Sequence, residues 1–137
     1  MCYFMFAITN KAIDSELINK LQSANLYVRE CTCCLSDAIE GLFYYEINNG
    51  HCACDISVSP YDKVDEIKEL IESVNKKGDY RFFILDSEYD DEYLEFEENK
   101  TLEKNLKALE TLEVIGERFL SLYPKEIRFD ILYNIKN

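Results

Sequence analysis

The sequence is short of the features that divide a chain or mark an enzyme. Only 4 glycines and 2 prolines occur in 137 residues. No Ser/Gly/Pro-rich tract, internal repeat or low-complexity stretch interrupts it, which argues against joined domains or a repeat array. No apolar run approaches the roughly 18 residues of a membrane-spanning helix. The opening MCYFMFAITNK is apolar but short. It has no basic flank before it and no cleavage-type pattern, so it reads as a strand rather than an export signal. A phosphate-cradling glycine loop, a G-x-S-x-G elbow and an H-E-x-x-H helix are all missing. No catalytic residues are therefore expected, and the chain reads as a non-enzyme.

Positive charge is also scarce. Fifteen Lys and Arg face 27 Asp and Glu, a formal net charge of −12. From Asp86 to Glu117, 12 acidic residues stand against 3 basic ones, a local net of −9. Such a surface repels nucleic acid and anionic lipid, because both are bound by positive charge meeting phosphate. It attracts basic protein partners and accelerates their encounter. The plainer alternative is that the charge only keeps the protein soluble.

What is present suffices for one domain. With 47% hydrophobic residues, a chain of this length can bury roughly two-thirds of its unfolded surface without a metal or disulfide. Lacking an export signal, it is expected in a reducing, cytoplasmic setting with free thiols.

Local patterns predict three helices. In SPYDKVDEIKELIESVNKKG, Ser59 suits an N-cap, Pro60 the first turn and Gly78 the closing position, giving a helix over about 60–77. Ile13, Leu17, Ile18 and Leu21 mark another over about 12–23. Leu102, Leu106, Leu109, Leu112, Ile115 and Phe119 recur every three or four residues before Pro124, predicting a long helix over about 101–122. Within it, Glu103 and Lys107 suit an i,i+4 pair. CYFMFAI and YRFFIL are apolar on both sides, as central strands are, and EIRFDILY alternates, with Ile127, Phe129, Ile131 and Tyr133 on one face. The order predicts a single α+β domain: an antiparallel or mixed sheet of about five to six strands with helices packed on it.

Five of the six cysteines and the only histidine, His51, fall between residues 31 and 54, in CTCC and HCAC. Asn49-Gly50 is a hairpin signal, and pairing GLFYYEI with HCACDISV through it places Phe43, Tyr45, Ile47, Cys52, Cys54, Ile56 and Val58 on one apolar face. Cys52 and Cys54 are then core residues, and Cys2 is a core residue of the first strand. His51 projects from the opposite face, which disfavours a cysteine–histidine dyad. The rival expectation is a zinc site built from Cys31, Cys33, Cys52 and Cys54. On a regular strand, however, C-x-C holds two sulfurs about 7 Å apart, too far for two bonds of about 2.3 Å to one ion.

The stretch LDSEYDDEYLEFEEN lacks the spacing of a calcium loop. Its aromatics among carboxylates instead suit the stems and heads of Lys and Arg on a partner. The expected partner-binding residues are Asp86, Glu88, Tyr89, Asp90, Asp91, Glu92, Tyr93 and Glu95.

Met1-Cys2 followed by Tyr3 and Phe4, with GHCAC later, resembles small uncharacterised bacterial proteins that begin MC and carry an HC-x-C box. The resemblance covers residues 1–55 and brings no activity. It departs at Asp55, where those proteins have glycine. The small, acidic, single-domain profile is similar to that of bacterial toxin-immunity proteins. The leading expectation is an immunity-type inhibitor that neutralises a basic toxin domain, such as a nuclease, without a cofactor. The alternative is a zinc- or thiol-based regulatory protein.

Overall fold

A computed structural model describes residues 3–86 and 100–137. The strands are β1 (Tyr3–Thr9), β2 (Tyr27–Glu30), β3 (Phe43–Asn48), β4 (Tyr80–Asp86), β5 (Glu110–Ile115) and β6 (Ile131–Lys136). They form one mixed six-stranded sheet in the order β2-β3-β1-β4-β6-β5. Every neighbouring pair is antiparallel except β5–β6. The helices are α1 (Ser15–Ser23), α2 (Cys54–Ser57), α3 (Val64–Asn75), α4 (Leu102–Leu106) and α5 (Gly116–Leu122). The α+β architecture is therefore as expected.

Central strands are covered on both faces, which is why β1 and β4 lack polar alternation. Met5 and Ala7 of β1, with Tyr80, Phe82 and Ile84 of β4, join the larger core under the helices. Leu21 of α1, Ile56 of α2, Ile67, Leu70, Ile71 and Val74 of α3 and Phe119 of α5 pack into it from the helices. Phe6, Ile8, Tyr44, Phe83 and Leu132 point the other way and are covered by Leu35, Leu102 and Leu106. The strand expected over EIRFDILY begins only at Ile131, after the left-handed Asp130 (φ 58°). Ile131 and Tyr133 lie in the larger core, and Ile127 and Phe129 pack against it from the preceding residues.

Three further local expectations are corrected. The hairpin through Asn49-Gly50 does not form, because β3 already has β1 on one edge and β2 on the other. After Asn48 the chain instead makes side-chain-capped turns. Asn48 Oδ1 accepts from Gly50 N at 2.9 Å, and Asn49 Oδ1 accepts from His51 N and Cys52 N at 3.1 and 3.2 Å. Ala53 and Ile56, three apart at the short helix α2, bury themselves in the larger core.

The helix expected over 101–122 is two short helices separated by a strand. Its apolar residues do not share one stripe. Leu102 and Leu106 serve the smaller core, Leu112 and Phe119 the larger, and Ile115 is 66% exposed. The β-branched Thr111, Val114 and Ile115 suit the strand, and parallel pairing with β6 decides the outcome over helical periodicity. The helix expected over 60–77 begins only at Val64. Lys63 is left-handed (φ 57°), so Ser59 is not its cap.

Ser57 of α2 is buried, and its hydroxyl has no partner among the described residues. A buried hydroxyl without a hydrogen bond is destabilising, whereas a methyl group there is not. Ser57→Ala is expected to raise the unfolding free energy by up to about 1 kcal/mol. The urea midpoint should therefore rise with an unchanged slope; a fall would mean that the hydroxyl is satisfied.

Candidate functional site

The CTCC stretch does not continue β2. It folds into a 3-10 turn over Thr32–Cys34. The turn is fastened to β3: Cys31 N donates to Tyr44 O at 2.7 Å, and Tyr44 N donates to Thr32 Oγ1 at 3.0 Å. Thr32 N also donates to Glu30 Oε1 at 3.2 Å, and Cys34 N closes the turn on Cys31 O at 3.0 Å. Cys33 and Cys34 are exposed, whereas Cys31 is half-buried against the smaller core. The Cys31 thiol donates to Tyr44 O at 3.4 Å.

The surroundings of Cys31 and Cys33 oppose ionisation of these two thiols. Burial, then Glu46, the neighbouring thiols and Glu30, push the Cys31 thiol up to about 12. The hydrogen bond with the Cys34 thiol is the main cause raising that of Cys33. From Glu30 to Asp62 the chain carries six carboxylates and no Lys or Arg, so no basic residue within that span offsets them.

Cys52 and Cys54 form a second pair and are half-buried rather than core residues. Cys54 N donates to Cys52 Sγ at 3.4 Å. That amide lowers the Cys52 pKa, but the thiol–thiol hydrogen bond with Cys54, burial and Asp55 together leave it raised. Ala53, between the two, is buried in the larger core, while the turn carrying Cys31 packs on the smaller one. Cys31, Cys33, Cys52 and Cys54 are thus arranged as two separate groups. Among the described residues, no group of three or more His, Cys, Asp or Glu is disposed to hold a metal ion. Cys2 lies outside the described residues.

Of the expected partner-binding residues, Asp86 ends β4 and is half-buried, its backbone N donating to Asp130 Oδ1 at 3.1 Å. Burial, with Asp86 nearby, raises the Asp130 carboxyl above its ordinary value despite that bond. Glu88, Tyr89, Asp90, Asp91, Glu92, Tyr93 and Glu95 lie outside the described residues. The same acidic stretch of sequence continues onto β5, an outer strand of the sheet, where Glu110 and Glu113 are exposed, and onto Glu117 of α5. Ile115, Glu117, Arg118 and Ser121 line an open hollow of about 350 Å3 beside it.

A third constellation escaped sequence reasoning. Arg81 of β4 faces the smaller core, and both its terminal nitrogens donate to Glu103 of α4, one of them at 3.1 Å. The Tyr44 hydroxyl donates to the same carboxylate at 2.5 Å and accepts from Ile39 N at 3.0 Å. Burial, then the bond to Glu103, pushes the Tyr44 phenol up to about 12. Glu103 therefore pairs with Arg81, and Lys107 does not replace it as partner. The group borders a hollow of about 210 Å3 lined by Arg81, Glu103, Leu106, Lys107, Thr111 and Leu132. The available signal was a single arginine in an otherwise apolar central strand, which requires a carboxylate nearby.

No helix among the described residues is long and apolar enough to cross a membrane. No family model matches the chain, and neither a curated protein nor a solved structure does.

Proposed function

We propose that the chain is an acidic binding protein that neutralises a basic protein partner in the manner of toxin-immunity proteins, without catalysis or a cofactor of its own. The observation that carries this reading is the net charge of −12, concentrated between Asp86 and Glu117. A toxin domain that grips nucleic acid needs a positive surface, and an acidic inhibitor can occupy it. The exposed carboxylates of Glu110, Glu113 and Glu117 add to the same charge at one side of the sheet. A specific observation also favours a thiol-based role, namely the anchored turn carrying Cys31, Cys33 and Cys34.

The test is the association rate with the basic product of the adjacent gene, for wild type and for the triple variant Asp90→Lys, Asp91→Lys, Glu92→Lys. Each like-charge contact created is expected to cost on the order of 1 kcal/mol or more. The difference should shrink as salt rises, because screening extends only about 8 Å at physiological ionic strength. Equal rates at low salt would remove residues 86–95 as the contact surface. No binding by the wild type would reject the inhibitor reading.

A further inference from the structure

We propose that Cys31 and Cys34 form a dithiol site, oxidised reversibly to an intramolecular disulfide by a low-molecular-weight disulfide of the glutathione class. This site does not depend on the acidic surface or on what binds there.

Cys31-Thr32-Cys33-Cys34 is a C-x-x-C segment closed into one 3-10 turn, with Cys34 N on Cys31 O at 3.0 Å. Residues three apart in such a turn are eclipsed, with a rise of about 6 Å between them. That separation lies within the roughly 4.4–6.8 Å between Cα atoms that a disulfide spans. The turn is also fastened at two points to the Tyr44 backbone, through the Cys31 amide and the Thr32 hydroxyl. Little chain entropy then remains to be lost on bridging. The adjacent pair Cys33 and Cys34 is a poorer match, because consecutive Cα atoms are about 3.8 Å apart, below that span.

The two sulfurs are placed for different steps. Cys34 is exposed and can reach a dissolved disulfide, whereas Cys31 is half-buried. Burial and neighbouring carboxylates hold the Cys31 thiol protonated, so Cys31 is not the sulfur that attacks first. Cys34 gives its proton to solvent, and its sulfur attacks one sulfur of RSSR. The S–S bond breaks, and RS⁻ leaves and is protonated to RSH. Cys31 then loses its proton, and its sulfur attacks the Cys34 sulfur of the mixed disulfide, expelling a second RS⁻ that becomes RSH. In sum, two protein thiols and RSSR give one protein disulfide and two RSH, with two electrons passing to RSSR. The Cys31 thiol hydrogen bond to Tyr44 O is lost on oxidation.

The experiment incubates the full native chain with oxidised glutathione at mildly alkaline pH and traps remaining thiols with iodoacetamide. Cleavage after glutamate isolates residues 31–40, which hold Cys31, Cys33 and Cys34 but not Cys52 or Cys54. That peptide should lose two hydrogens and carry alkylation on Cys33 alone. Cys33→Ser should leave the bridge at wild-type yield. Cys31→Ser should accumulate about tenfold more glutathione adduct on Cys34, since the resolving sulfur is gone. A bridge that survives Cys31→Ser, one that disappears in Cys33→Ser, or a Cys34 that stays unmodified would overturn the assignment. Should Cys31→Ser fail to fold by circular dichroism, the wild-type map and Cys33→Ser decide alone.

Discussion

Replacing Phe119 by alanine is expected to remove about 3–5 kcal/mol of stability, the range for emptying a fully buried aromatic site. Phe119 is 0% exposed and occupies the point where α5 meets β4 and β6. Its ring centroid lies 5.1 Å from that of Phe82, 5.4 Å from Tyr133 and 6.5 Å from Tyr80. Tyr80 and Phe82 belong to β4 and Tyr133 to β6, so one side chain joins the helix to strands distant in sequence. The total stability of a domain is only about 5–15 kcal/mol, so the loss is a large fraction of it. Chemical denaturation followed by circular dichroism checks this. A loss below about 1.5 kcal/mol would show that the surrounding rings collapse into the space.

Glu103→Ala should cost about 2–4 kcal/mol, because it leaves Arg81 and the Tyr44 hydroxyl without their shared acceptor in a partly desolvated place. The side chains of Arg81 and Glu103 are only 20% and 14% exposed, which separates this pair from Lys20–Glu69, at 69% and 40%. Exposed pairs of the latter kind contribute about 0–1 kcal/mol. The double replacement Arg81→Met, Glu103→Leu should regain more than half of the loss, since an apolar pair leaves no charge to solvate. Equilibrium unfolding of the two variants measures both effects. A double variant no more stable than Glu103→Ala would mean that the pair also positions α4.

The legible parts of the fold were those in which local pattern and final environment agree. Strands β1 and β4 are apolar on both sides and lie inside the sheet. The helix α3 carries its Ile67, Leu70, Ile71 and Val74 stripe into the core, although its start was misplaced. The segment 101–122 was not legible, because spacings of three and four in Leu102, Leu106, Leu109 and Leu112 arise from two elements serving opposite faces. Only the strand partner β6 distinguishes that arrangement from one helix.

Among candidate sites, the cysteine-rich region was visible as composition, but its grouping was not. Counting cysteines as C-x-C units hid the relation of Cys31 to Cys34, which becomes apparent once Thr32–Cys34 is a turn rather than a strand. Likewise, Asn49-Gly50 favours a hairpin only where a strand edge is free, and β2 had taken that of β3. The Arg81–Glu103 pair joins residues 22 apart in the chain, beyond the reach of any local rule.

The position of β6 bears on how the sheet can assemble. It lies between β4 and β5, although residues 131–136 follow both in the chain. As the chain leaves the ribosome, β1, β3 and β4 can pair while β5 has not yet met the strand it joins in the finished sheet. During that interval β4 presents an unclosed, strongly apolar border, the kind of edge on which nascent chains aggregate. Pairing of β6 with both β4 and β5 completes the sheet and couples the acidic β5 segment to the rest of it.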